Sequence, residues 1–516
     1  MIDMVPDGDK PEMDDERTRS AQSLAVGGAH QPQPRRKGLA AGEPSGKGCR
    51  VSSESFRFGV EQRGIEFIPT TQRYGSPKRL FTIWFSINLS ILCLTVGTLG
   101  VYAGLPFAWI CVALTLGNVA GTFLMAAHSA QGPHIGIPQM IQSRAQFGVL
   151  GAGLPLLAVL AAMILYNSAN AILIQGTIRM ILPVTDTAAI VIFAAITIVV
   201  AFIGYELIHR LAAALAVLSG LFFISLTMLL IVHGGPGAGK PLHESHFSVA
   251  AFILVVTQAT AWSLSSAPMV ADYSRYLPEN VRPSATFWYT GVGNFLSSTL
   301  MMVLGAWLAA SFPSITSNVG LRISRLFGAG RYLAAFLIIV NLLQVNVMDL
   351  YSAYMSSTTI ITSVGQMKRV SLTYKFFLMF FLMAAATIIA VAMQSNFNAY
   401  FSDLLAVLVY FLIPWSAINL ADYYVVRKGV YSIQDMFRRD GIYGRYRWHT
   451  ITIYLVSILA EIPFVSISFY VGPLARLIGA DIAWLPGTLV PAALYCLVER
   501  AFLLPDERIS SFETRD

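Results

Sequence analysis

The chain has 516 residues, 55% of them hydrophobic and only 12% charged, against about 25% charged in soluble domains. A soluble chain of this length divides into domains with wet surfaces between them; here the charges fill short gaps between apolar runs of about 20 residues, long enough to cross a bilayer as helices. The net charge of +7 suits a nucleic-acid partner less than positive-inside sorting, since thirteen Lys/Arg precede residue 83 and most others stand between apolar runs.

Residues 1–55 are rich in Gly, Pro, Ser and charge, a composition that cannot bury enough apolar surface to fold, so a disordered tail is expected. They contain no apolar run of the secretory-signal kind. A pre-membrane segment follows at 56–82. Apolar runs then predict twelve spans, at 83–104, 107–131, 150–182, 187–205, 212–233, 248–270, 286–311, 330–361, 376–394, 399–421, 450–472 and 482–504. The first ten form a core over 83–421, a polar loop fills 422–449, two further spans occupy 450–504, and 505–516 is a tail. The third and eighth runs exceed a bilayer's thickness, so tilt or extension past the lipid is expected.

With the amino terminus inside, the inner loops and carboxyl tail hold 16 Lys/Arg and the outer loops 6, before the basic amino-terminal tail is added. Both termini are therefore expected in the cytoplasm of a plasma-membrane protein, monomeric or weakly oligomeric in its bilayer. Of the cysteines, Cys93, Cys111 and Cys496 fall in apolar runs and Cys49 in the tail. None has ligand spacing, so no disulfide, metal or cofactor is expected.

Polar residues at membrane depth are the informative ones. Span one, WFSINLSILCLTVGTLG, carries Ser86, Asn88 and Ser90, then Gly97 and Gly100. Two readings stand: a glycine-interrupted helix whose freed carbonyls bind a cation, or close packing through small residues. Beyond span two, His128 and His134 lack metal-ligand spacing. In span three, Tyr166 and Asn170 lie four apart on one helix face, with Asn167 between them. A ring and an amide there suit the face and edge of a heterocycle; interhelical hydrogen bonding is the other reading. Glu206, His209 and Arg210 read as an inner-turn cap.

Span six, TQATAWSLSSAPMVADYSRYLP, is interrupted by Ser263, Ser265, Ser266 and Pro268, a poor continuous helix. Trp262 beside the interruption reads either as a stacking surface or as a packing residue, and Asp272 with Arg275 as an i,i+3 pair. Broken helices five spans apart point to a transporter's central site. Span eight carries Asn341, Gln344, Asn346 and Asp349; the last is the deepest acid in the chain and reads as functional. Asp403 and Glu461 are further acids in spans ten and eleven, with Glu461 open between gate, pairing and structural roles.

The run FGVEQRGIEFIPTTQRYGSPKRLFTIWFSINL, then FGVLGAGLP, ADYSRYLP, DLYSA and INLADYYVVRKGVY, in that order over about 56–432, resembles the purine–cytosine permeases, the first nucleobase–cation symport family. The resemblance implies a LeuT-like fold, with a five-plus-five inverted repeat and two extra carboxyl-terminal helices. It implies a symporter importing cytosine, a purine, uracil, a hydantoin or allantoin. The implied site holds a ring between Tyr166 and Trp262, read by Asn170, with a span-eight polar residue expected near Asn346 or Asp349; the interrupted spans one and six add Ser86, Asn88 and Ser265 as candidate substrate contacts. Tyr166 stands where a Trp is common. Sodium-coupled relatives carry a Ser/Thr pair on span eight where Leu343 and Gln344 stand here, so a proton carried by Asp349 is the preferred coupling ion and sodium the alternative; Gly97 is a candidate for the ion path. The rivals are a carrier for an amino acid or another small polar solute on the same fold, and a membrane enzyme or receptor. An enzyme would need a nucleophile–base or phosphate-loop signal, and none occurs in the sequence.

Overall fold

A computed structural model describes residues 67–203, 205–233, 246–312, 315, 318–365 and 371–502. The expected tails at 1–55 and 505–516, and the side chains of Glu206, His209 and Arg210, lie outside the described residues. The described chain is helical apart from one short hairpin. In order come α1 (Lys78–Ile87), α2 (Ile91–Tyr102), α3 (Phe107–Ala127), α4 (Gln131–Ile135), α5 (Gln139–Phe147), α6 (Gly153–Ile181), α7 (Asp186–Ile203), α8 (Tyr205–His233), α9 (Val249–Leu264) and α10 (Val270–Ser274). Then follow α11 (Pro283–Ser311), α12 (Val319–Leu326), α13 (Arg331–Gly365), α14 (Leu372–Met393), α15 (Phe397–Ala421), α16 (Trp448–Glu461), α17 (Pro473–Ile478) and α18 (Trp484–Phe502). The hairpin pairs β1 (Ser466–Ile467) with β2 (Tyr470–Val471) between α16 and α17.

Seven stretches are long and apolar enough to cross a membrane, and the last, Leu372–Val426, contains both α14 and α15. The bent pair α1–α2 adds one more, and α7, α16 and α18 are shorter apolar helices. Twelve apolar segments result. α13, with 35 residues, is about 52 Å long at 1.5 Å per residue, so it must outreach a hydrocarbon core of about 30 Å. The expected span 450–472 is shortened: α16 stops at Glu461, where Pro463 opens a 3-10 turn that leads into the hairpin.

Small residues set the closest helix contacts. A Cβ on Gly97 would lie 1.8 Å from the Met302 carbonyl oxygen, and one on Gly305 would lie 1.9 Å from that of Leu94, so α2 and α11 touch backbone to backbone. Gly117 and Gly121 do the same for α3 against α9, facing the carbonyls of Val256 and Thr260. Bare backbones allow such approach where lipid supplies no hydrophobic drive. α8 is at the opposite extreme and turns Val217, Leu221, Ile224, Met228 and Ile231 outward, a face suited to lipid. Cys93 is buried, whereas Cys111 and Cys496 are only partly so; none of the three is in a disulfide.

If each of the twelve apolar segments crosses once, Lys78 and Phe502 share one face, called here the terminal face. α5 lies across it with all nine residues buried. Its first amide, on Gln139, donates to Asp272 Oδ1 at 2.8 Å, so Asp272 caps a helix. Arg144 ties α5 to α13 through Ser363 Oγ at 2.7 Å and to the loop between α15 and α16 through the Met436 carbonyl at 3.1 Å. Burial draws the Arg144 guanidinium down to about 10, a range in which it still carries its charge.

Candidate functional site

The two broken spans meet beside the middle of α6. The first break falls at Asn88–Ser90, where the axis turns by 60°. Freed backbone groups at a break need partners. Ser90 Oγ accepts from Cys93 N at 3.2 Å, while Asn341 of α13 accepts from Ile91 N at 3.3 Å and donates to the Leu89 carbonyl at 2.8 Å. One amide from span eight thus replaces the missing turn. The second break lies between α9 and α10, where Pro268 sits in a 3-10 turn and Ser265 Oγ donates to the Trp262 carbonyl at 2.7 Å.

Between the breaks, Tyr166 of α6 and Trp262 of α9 face each other edge-to-face, with centroids 6.0 Å apart and planes at 80°. Tyr166 is buried and Trp262 half-buried. The Trp262 indole N–H donates to Asn88 Oδ1 at 2.8 Å. Asn88 Nδ2 in turn donates to the Trp84 carbonyl, to Asn294 Oδ1 and to Ser297 Oγ, at 2.9–3.1 Å. Asn294 extends the chain to Thr122 Oγ1 at 2.7 Å and Ser263 Oγ at 3.1 Å, and Ser263 to Asn118 at 3.0 Å. Asn170, one turn beyond Tyr166, points its Nδ2 at Asp349 Oδ2, 3.4 Å away. Among the described residues the Asn170 carbonyl oxygen is buried with no hydrogen-bond partner, and the buried Tyr166 hydroxyl has only the Ser265 hydroxyl beside it, which leaves both able to meet a polar solute.

A cavity of about 220 Å³ lies at the second break, beside this cluster in sequence but lined by none of Tyr166, Asn170, Trp262, Asn88 and Asp349. It is walled by Leu156 and Val159 of α6, Pro268 and Met269 at the second break, and Met348 and Ser352 of α13. It continues past Tyr276 and Thr359 toward the terminal face. On the other side, Gln258, one turn before Trp262, donates to Ser402 Oγ of α15 at 2.7 Å. Tyr400 of the same helix bonds Ser168 Oγ and the Leu165 carbonyl of α6.

Tyr166, Asn170, Trp262, Asn88 and Asp349 therefore come together, and four expected residues do other work. Ser86 Oγ is spent on the Thr82 and Ile83 carbonyls of its own helix. Ser265 holds the break through the Trp262 carbonyl, with its hydroxyl beside that of Tyr166. Asn346 Nδ2 donates to Thr197 Oγ1 of α7 at 3.1 Å, because its place on α13 turns it toward that neighbour. Gly97 lies within regular α2 helix against Met302, so the small-residue reading holds there and its carbonyl is not freed for an ion. Asn88 itself has no spare polar atom and positions Trp262. Missed in the sequence were Asn118, Thr122, Asn294 and Ser297, which showed only as lone polar residues inside apolar runs. Among the described residues no group of three or more His, Cys, Asp or Glu is placed to hold a metal ion.

Comparison with known proteins adds three findings. A family described as "Permease for cytosine/purines, uracil, thiamine, allantoin" matches residues 67–487. The putative purine-cytosine permease YxlA of Bacillus subtilis is 40% identical over 437 residues, covering 84% of this chain and 95% of that protein. The purine-cytosine permease fcyB of Emericella nidulans is 24% identical over 480 residues, covering 87% and 90%. Among solved structures, the inward facing conformation of Mhp1 is similar in fold, with a TM-score of 0.69 at 16% identity, covering 86% of this chain and 94% of that one. The closed Mhp1 with bromovinylhydantoin bound, described as a nucleobase-cation-symport-1 family transporter, has a TM-score of 0.66 and covers 88% and 99%.

Proposed function

The chain belongs to the family of permeases for cytosine/purines, uracil, thiamine and allantoin, and on that premise we propose that it is a cation symporter that imports a nucleobase or related heterocycle by alternating access. The family is one of multi-pass membrane transporters, not enzymes, and the fold is LeuT-like. The substrate class rests above all on one observation: Tyr166 and Trp262 set two aromatic walls at membrane depth, beside an amide, Asn170, and an acid, Asp349. A flat ring coming from the cavity side parts the two aromatic side chains, which touch edge-to-face, lies against them, and offers its edge to Asn170 and the Tyr166 hydroxyl. The names of the relatives, and the hydantoin bound by Mhp1, support the same class.

The terminal face is the cytoplasmic face of the plasma membrane in this reading, by the excess of Lys/Arg in its loops, so the cavity opens inward and α15 closes the outer side. The coupling ion is a proton carried by Asp349. Protonation removes the carboxylate's charge and turns it from acceptor to donor toward Asn170, which links ion loading to the amide that reads the solute.

Uptake of labelled cytosine, purines, uracil, hydantoin and allantoin into proteoliposomes tests the proposal. Accumulation should survive removal of sodium and collapse with a protonophore, and Asp349→Asn should retain binding but lose concentrative uptake. A strict sodium requirement overturns the proton assignment. Thermal protection by an amino acid and by no heterocycle overturns the substrate class.

A further inference from the structure

Glu461 ends α16 at membrane depth, 13 residues beyond Trp448, or about 20 Å along the helix. It is 1% exposed, and among the described residues neither carboxyl oxygen has a hydrogen-bond partner. Its Oε1 occupies the space left by Gly487 of α18; a Cβ there would come within 2.2 Å. The neighbouring acid is Asp481, 5% exposed and well served. Ser466 N donates to its Oδ2 at 2.7 Å, Ala483 N to its Oδ1 at 3.0 Å, and the Tyr410 hydroxyl of α15 to Oδ2.

The two acids thus stand in opposite circumstances. Three donors converge on Asp481, and donors stabilise a carboxylate. None reaches Glu461. The titratable groups in electrostatic reach of Glu461 are Asp481, Tyr410 of α15 and Tyr454 of α16. Among the described residues no Lys, Arg or His offsets it. Two neighbouring buried like charges do not both persist.

We propose that Glu461 is a proton-binding site in the two extra helices: it holds a proton as a neutral acid packed on Gly487, while Asp481 carries the pair's single negative charge. The site is separate from Asp349 and does not depend on which solute is moved. Loss of the proton would set a second negative charge beside Asp481 at the α16–α18 contact, so the proton clamps these helices together.

Infrared difference spectra of wild type against Glu461→Gln in proteoliposomes test the assignment. The wild type should show one carboxylic-acid C=O stretch that the variant lacks. Thermal stability should also fall with rising pH in the wild type, because the native chain then holds a proton that the unfolded chain has released, and this slope should shrink in E461Q. If E461Q does not fold, Glu461→Met replaces it, since an uncharged acid without donors tolerates an apolar side chain of similar length. An unchanged acid band, an unchanged pH slope, or failure of both variants to fold overturns the proposal.

Discussion

The indole N–H of Trp262 is aimed by Asn88, whose Oδ1 lies 2.8 Å away across the two helix breaks. One break thereby holds the aromatic wall supplied by the other. Asn88→Ala should leave Trp262 Nε1 and Asn294 Oδ1 short of a partner and let the ring turn. An unsatisfied buried polar group costs about 1–3 kcal/mol, so affinity for the solute should fall roughly 5- to 150-fold. Ligand-induced thermal shift measures it. An Asn88→Ala protein that binds as tightly as the parent would remove Asn88 from the positioning role.

Trp262→Ala removes the ring itself. Stacking of a base on an aromatic side chain is worth about 1–3 kcal/mol, so thermal protection by a heterocycle should vanish at concentrations that saturate the parent. Tyr166→Phe keeps the wall and removes only the hydroxyl, so it should lose less. Equal losses for the two substitutions would mean that the hydroxyl, not the ring, makes the contact.

The breaks in spans one and six were legible because serines, an asparagine and a proline interrupt runs that lipid otherwise keeps apolar. Tyr166, Asn170 and Asp349 were legible for the same reason. What a single sequence hides is direction. Asn346 and Asp349 sit one turn apart on α13, yet one bonds Thr197 of α7 and the other faces Asn170. Ser86 looks like a site residue until its hydroxyl is seen bonded within its own helix. Gly97 signals both a break and a close contact, and only the neighbouring backbone decides between them. α5 is hidden most completely: its glutamines and arginine read as a wet loop, but all nine residues are buried.

Gly97→Ala separates the two meanings of that glycine. The new methyl group would meet a backbone oxygen, that of Met302, at 1.8 Å, so α2 and α11 must part. The expected cost is about 1–3 kcal/mol of stability, with the ion dependence of uptake unchanged. Met302→Ala should not rescue it, because the clash is with main chain. A stable Gly97→Ala variant with altered ion dependence would return Gly97 to the ion path.

Closure on the side away from the cavity rests in part on the 2.7 Å hydrogen bond from Gln258 to Ser402. Gln258→Ala should loosen α15 from α9 one turn above Trp262. A cysteine introduced at Trp262's level on α9 should then become more reactive to a membrane-impermeant thiol reagent added outside, by roughly 5-fold if the bond is worth about 1 kcal/mol. Unchanged labelling would show that the contacts of Tyr400 with Ser168 and Leu165 hold α15 without Gln258.

The strongest electrostatic contrast lies between two ion pairs. Arg179 and Asp186 pair at 2.9 Å with side chains 50% and 43% exposed, where such a bridge is worth about 0–1 kcal/mol. Glu499 of α18 is fully buried and takes Arg427 at 2.9 Å, Arg447 at 2.5 Å and His449 at 2.6 Å. Arg427 also pairs with Asp422 at the end of α15, so the network fastens both extra helices to the ten-span core. Removing one member of a buried network strands the charges left behind, at about 3–5 kcal/mol. Glu499→Gln should therefore unfold at a much lower temperature than the parent, whereas Asp186→Asn should be nearly indistinguishable from it. Added salt should weaken the Arg179–Asp186 pair and leave the difference between parent and Glu499→Gln almost intact, because ions screen exposed charges far better than buried ones. Equal melting temperatures for the two variants would mean that the extra helices are held by apolar packing alone, with Tyr495 and Tyr454 as the buried anchors.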